Sequence, residues 1–99
     1  MITRAIATNR TEVEDGATFR PYDITLGAIE PTMTFQAKIT GAGMVVKIQG
    51  RLSSDLDWYD VATFTSSGMV EVPALPEMRY SIPTAGATLN FLVAGVVRR

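Results

Sequence analysis

Apolar residues recur at every second position through most of this chain. That period suits a half-buried β-strand, whose side chains alternate between two faces; a helix repeats every 3.6 residues. In "TMTFQAKI", Met33, Phe35, Ala37 and Ile39 fall on one side, and Thr32, Thr34, Gln36 and Lys38 on the other. "MVVKIQ" places Met44, Val46 and Ile48 inward against Lys47 and Gln49. "MRYSI" does the same with Met78, Tyr80 and Ile82, and "TLNFLV" sets Leu89, Phe91 and Val93 on one face. Weaker strand patterns cover Ile2 to Thr8, Tyr22 to Leu26, Trp58 to Thr65 and Met69 to Val72. The predicted core is Met33, Phe35, Ile39, Val46, Ile48, Val61, Val72, Tyr80, Ile82, Leu89, Phe91 and Val93.

Turn residues separate these runs. Gly41 and Gly43 in "TGAG", and Gly68 after "TSS", read as hairpin links. "PALPE" carries Pro73 and Pro76, which a central strand excludes, and "PTAG" closes the next run. About eight short strands at intervals near 12 residues predict an all-β, antiparallel β-sandwich, jelly-roll or Ig-like. The 99 residues make one domain, 1–99. Residues 1–20 admit two readings: an edge strand followed by a loop over Thr11 to Arg20, or an extended N-terminal arm that pairs with a neighbouring subunit.

Composition narrows the chemistry. The chain has no cysteine and no histidine. Disulfides, thiolate metal sites and Ser-His-Asp or Cys-His nucleophile systems cannot be built from it. The formal net charge is −1 with no basic stripe, so no electrostatic footprint for nucleic acid exists. Arg4 and Arg10 interrupt any apolar run at the start, leaving no signal-peptide core. "LNFLVAGVV" is too short to span a bilayer. No membrane role is expected, and synthesis is expected in the cytoplasm. Arg98 and Arg99 read as an exposed tail or a contact for an acidic neighbour.

The stretch "RLSSDLDWYDVATF", Arg51 to Phe64, concentrates the residues with chemical potential. Asp55, Asp57 and Asp60 fail as a calcium loop: the sixth position counted from Asp55 is Asp60, not glycine, and the twelfth is Ser66, not glutamate. Paired carboxylates for glycoside hydrolysis lack a cleft rich in aromatic residues. No catalytic, cofactor or metal residue is assigned. Ser54 with Asp57 mimics a capping box, but the surrounding residues are poor helix formers, so at most one turn is expected. Trp58 is expected to plug one end of the sandwich core from a hairpin, with Tyr59 outward and the acids in a solvated turn. Val61 and Phe64 then require a bulge or turn near Asp60.

From Met44 to Gly95 the order is a strand, the "GRLSSDLDWYDV" hairpin, the short strand "GMVEVP", then "MRYSI" and a closing strand. This order resembles small all-β structural proteins of tailed bacteriophage virions, of the capsid decoration, cement or head-fibre type. The resemblance implies a non-enzymatic protein on the capsid surface that bridges capsid subunits and so stabilises the head shell. It implies the major capsid protein or another virion protein as partner, and a homo-oligomer, trimer favoured. Ile2, Arg4, Ile6, Arg10 and Arg20 on the N-terminal segment, with Trp58 and Tyr59 on the hairpin, are the candidate interface residues. The alternatives are a carbohydrate-binding sandwich module using Trp58 and Tyr59, or a tail or head-fibre component.

Overall fold

A computed structural model describes residues 2–24 and 32–96. Eight strands, β1 (Ile2–Arg10), β2 (Glu14–Asp15), β3 (Thr32–Gly41), β4 (Val45–Arg51), β5 (Tyr59–Phe64), β6 (Gly68–Pro73), β7 (Glu77–Thr84) and β8 (Ala87–Val96), accompany one helical turn, α1 (Pro21–Ile24). The strands form two four-stranded sheets, ordered β1-β8-β3-β6 and β2-β7-β4-β5. Every pairing is antiparallel.

The pairs β4–β5, β3–β6, β2–β7 and β1–β8 are nested one outside the next. The chain is thus one long antiparallel ribbon, closed at the β4–β5 turn and rolled so that β3 meets β8 and β4 meets β7. This is the jelly-roll form of the sandwich. It also corrects two links. "TGAG" and "TSSG" are not hairpins: each carries the chain from one sheet to the other, β3 to β4 and β5 to β6. In "TGAG" glycine marks a reversal whatever the strands then pair with, because the φ of 104° at Gly41 and 92° at Gly43 disfavours a side chain.

The inward faces of both sheets form one apolar core. Met33, Phe35, Val46, Ile48, Val72, Tyr80, Ile82 and Leu89 are buried as expected, joined by Ala7, Ala37, Met44, Phe64, Met78, Leu92, Ala94 and Val96. Phe19 reaches in from the β2–α1 link, its ring centre 6.2 Å from that of Phe35 and tilted by 50° to it. Ile39 and Val61 pack only at the core's margin. Phe91 and Val93 depart from the expected face. Leu89 opposes Ile39 while Phe91 opposes Lys38, so Asn90 is an extra residue in β8. Its side-chain oxygen accepts a hydrogen bond of 2.8 Å from Thr40. The bulge reverses the face of every later residue. Phe91 is 49% exposed, and Leu92 takes the interior position.

The N-terminal segment does not project as an arm. β1 is the edge strand of its sheet and pairs with β8 from Ile2–Val96 to Arg10–Leu89. Two residues of the expected loop, Glu14 and Asp15, pair with β7, and Phe19 bridges Met78. Main-chain hydrogen bonds tie this segment into the fold along one side of β1, and the other side of β1 is an open sheet edge. Over Tyr22 to Leu26 the strand pattern gives way at its start to α1. Pro21 opens the turn, where a missing N–H costs nothing, and the Asp23 amide donates to the Arg20 carbonyl at 3.0 Å. Thr25 and Leu26 lie outside the described residues, as do Arg98 and Arg99. Among the described residues no helix is long and apolar enough to cross a membrane.

Candidate interaction site

The β4–β5 hairpin is the only pairing of consecutive strands among those described. Its register slips between Ile48, opposite Ala62, and Gln49, opposite Asp60, leaving Val61 as the extra residue. A bulge is therefore present beside Asp60, but it sets Trp58 and Phe64 on opposite faces instead of bringing both inward. It lets Phe64 point into the core while Asp60 faces outward.

Alternation then fixes Trp58. Two residues before Asp60, it shares that residue's outward face. It is half-buried, but on the outer surface of the β2-β7-β4-β5 sheet rather than in the core, which corrects the expected plug. The guanidinium carbon of Arg51 stands 4.1 Å from the Trp58 ring centre, and that of Arg79 stands 4.6 Å from it. Both cations are also paired. Arg51 Nε donates to Glu77 Oε1 at 2.8 Å, and Arg79 Nε donates to Gln49 Oε1 at 2.9 Å.

These contacts continue across all four strands of the sheet. Gln49 Nε2 donates to Asp60 Oδ1 at 2.9 Å, and Lys47 Nζ reaches Asp60 Oδ2 at 2.8 Å. Arg79 lies 3.7 Å from Asp15, whose other oxygen accepts a 2.6 Å hydrogen bond from Ser81. The hydrogen bonds from Lys47, then Gln49, hold the Asp60 carboxyl below the usual carboxylate range. The face is a polar network already satisfied from within.

Beside it, at the end of the sandwich, the β4–β5 loop and the β6–β7 link enclose an open concavity of about 480 Å³. Leu52, Leu56, Tyr59, Val61 and Leu75 supply its apolar lining, and Asp55 and Asp57 its acidic border. Leu52 is 66%, Leu56 51% and Tyr59 70% exposed. The loop is held by a Leu56 amide to Ser53 carbonyl bond of 3.2 Å and by Arg51 Nη1 donating to the Leu56 carbonyl at 3.4 Å. It is a turn, with no helix at Ser54. The floor depends on Gly50: a Cβ there would run into Leu75.

Of the candidate interface residues, only Tyr59 lines this concavity. Trp58 lies on the adjoining sheet face. Ile2 and Ile6 pack half-buried against the core, and Arg4 and Arg20 are exposed. Arg10 lies 3.6 Å from Glu14. β1, which carries four of these residues, borders one side of the sandwich, while the hairpin's β5 lies beside β6 on the other. Leu52, Leu56 and Leu75 were not among the candidates. The signal for them is local: two leucines four apart, Leu52 and Leu56, in an otherwise polar turn have no strand face to occupy. No group of acidic side chains that could hold a cation is found among the described residues. Comparison with known protein families, curated proteins and solved structures gives no match for this chain.

Proposed function

We propose that this chain is a non-enzymatic structural protein of a tailed-bacteriophage virion, most consistent with a capsid decoration or cement protein. It acts as a homo-oligomer that bridges subunits of the shell and so stabilises it. The reading is carried by one observation. The hairpin on which the resemblance rests presents Leu52, Leu56 and Tyr59 to solvent around a concavity. Apolar surface gathered this way favours a protein contact. The jelly roll is a frequent architecture of viral shell proteins and agrees with the reading, but it also serves lectins and enzymes, so fold alone carries little weight.

The carbohydrate-binding alternative draws less support. A sugar ring needs an open aromatic face; two guanidiniums already stand over Trp58, which leaves Tyr59 as the open ring of that pair. Leu52, Leu56 and Leu75, which make up most of the apolar lining, offer no hydrogen bonds to sugar hydroxyls and leave the rim acids, Asp55 and Asp57, to accept them. With β1 held in a sheet, the bridging contact passes from an arm to the hairpin end and to the open edge of β1.

The test is co-sedimentation of the purified protein with undecorated capsids. Saturable binding at a fixed ratio to capsid subunits is expected, weakened by Leu56→Asp. Absence of binding by the intact chain rejects the assignment.

A further inference from the structure

The concavity combines two features that select a partner. Its lining is apolar, and its border carries two carboxylates, Asp55 and Asp57, that make no ion pair or hydrogen bond among the described residues. The acids of the neighbouring sheet face are used differently: Asp15, Asp60 and Glu77 each lie against a cation. The one cation at the concavity, Arg51, is committed to Glu77, the Leu56 carbonyl and the Trp58 ring. The site therefore offers uncovered apolar surface beside unneutralised negative charge.

We propose that this concavity binds a segment of a partner protein in which an apolar side chain is flanked by lysine or arginine. The apolar side chain enters between Leu52, Leu56 and Leu75, removing surface from water on both partners. The flanking cation meets Asp55 and Asp57 at the rim, where complementary charge sets orientation and partner choice more than affinity. An acidic or uncharged polar segment meets like charge or unpaired leucines there and is rejected. The volume falls within the range of preformed binding clefts. The inference deepens the virion reading by giving the partner's contact its chemistry. Only the source of the partner rests on that reading; the preference rests on the pocket.

A displayed library of random peptides, panned on the immobilised full chain and in parallel on variants, tests it. Peptides retained by the unaltered chain are expected to carry an apolar residue next to lysine or arginine. Retention should fall on the order of tenfold on Leu56→Asp, which corresponds to ~1.4 kcal/mol. The basic preference should vanish on the Asp55→Lys, Asp57→Lys double variant. These positions are exposed turn residues, and thermal melting checks that each variant folds. Leu52→Asp serves if Leu56→Asp does not. No enrichment, enrichment of acidic or neutral polar peptides, or equal retention by a folded Leu56→Asp or Leu52→Asp protein overturns the proposal. So does an oligomer that Leu56→Asp dissociates to monomers, since a second copy would then be the occupant. Enrichment of the expected motif without capsid binding rejects the virion reading alone.

Discussion

Arg51 lies over the ring of Trp58 at 4.1 Å while its Nε holds Glu77 at 2.8 Å. One side chain thus joins the hairpin's aromatic residue to the strand beyond it, at the hairpin end of the sheet's outer face. Trp58 is held by cation contact and partial burial, not by the core. Trp58→Ala should therefore cost about 1–3 kcal/mol, combining about 0.5–1 kcal/mol for an exposed cation–π contact with lost half-buried area. Phe35→Ala, a fully buried aromatic, should cost about 3–5 kcal/mol. Urea unfolding of both variants checks the order; equal losses would return Trp58 to the core.

The Asn90 bulge makes Phe91 and Leu92 opposite in kind. Phe91→Thr should cost no more than about 1.5 kcal/mol, because half of that side chain already lies in water. Leu92→Ala should cost about 2–5 kcal/mol. Guanidinium denaturation midpoints of the pair decide the face of β8 directly.

Deletion of residues 2–10 would remove the edge strand β1 and uncover one side of β8. Ala7, a buried contact, would go with it. The truncated chain should lose its cooperative thermal transition or melt far below the full chain. An arm free of the fold would leave melting unchanged, so calorimetry separates the two.

Two ionisable groups set opposite pH limits. Asp60 has its folded pKa lowered, chiefly by the Lys47 hydrogen bond. Its contribution is present above the ordinary carboxylate pKa and is lost as pH falls through the lowered folded value. Burial first, then the Glu14 carboxylate, raises the pKa of Tyr80 above 10.0. The folded state therefore holds that proton after the unfolded chain has released it. Stability is full below the ordinary tyrosine pKa and declines as pH rises from there through the raised folded value. Asp60→Asn should flatten the acid limb of a stability profile and cost no more than about 1 kcal/mol near neutrality, as an exposed pair does. Tyr80→Phe should flatten the alkaline limb and leave the acid limb unchanged. Melting temperatures across the pH range measure both.

The β class, about eight strands in one sandwich and the hairpin at Gly50 to Val61 are legible in the residue pattern alone. These follow from local alternation and turn chemistry, which act over a few residues and need no knowledge of partners. The pattern also determined most of the interior, because Met33, Phe35, Val46, Ile48 and Ile82 lie on uninterrupted faces. Which strands meet depends instead on packing between segments far apart in the chain. A glycine link looks the same whether the chain turns back within a sheet or crosses to the other one, so "TGAG" and "TSSG" gave no sign of the crossing. One extra residue at Asn90 reversed Phe91 and Val93 without altering any residue type. Trp58 depended on Arg51 and Arg79, seven residues before it and twenty-one after, whose guanidiniums the strand order brought to its ring. The concavity likewise exists because β4–β5 and β6–β7 end on the same side, setting Leu75 against Leu52 and Leu56. A binding surface is a sum over distant segments, and alternation within one segment carries no record of that sum.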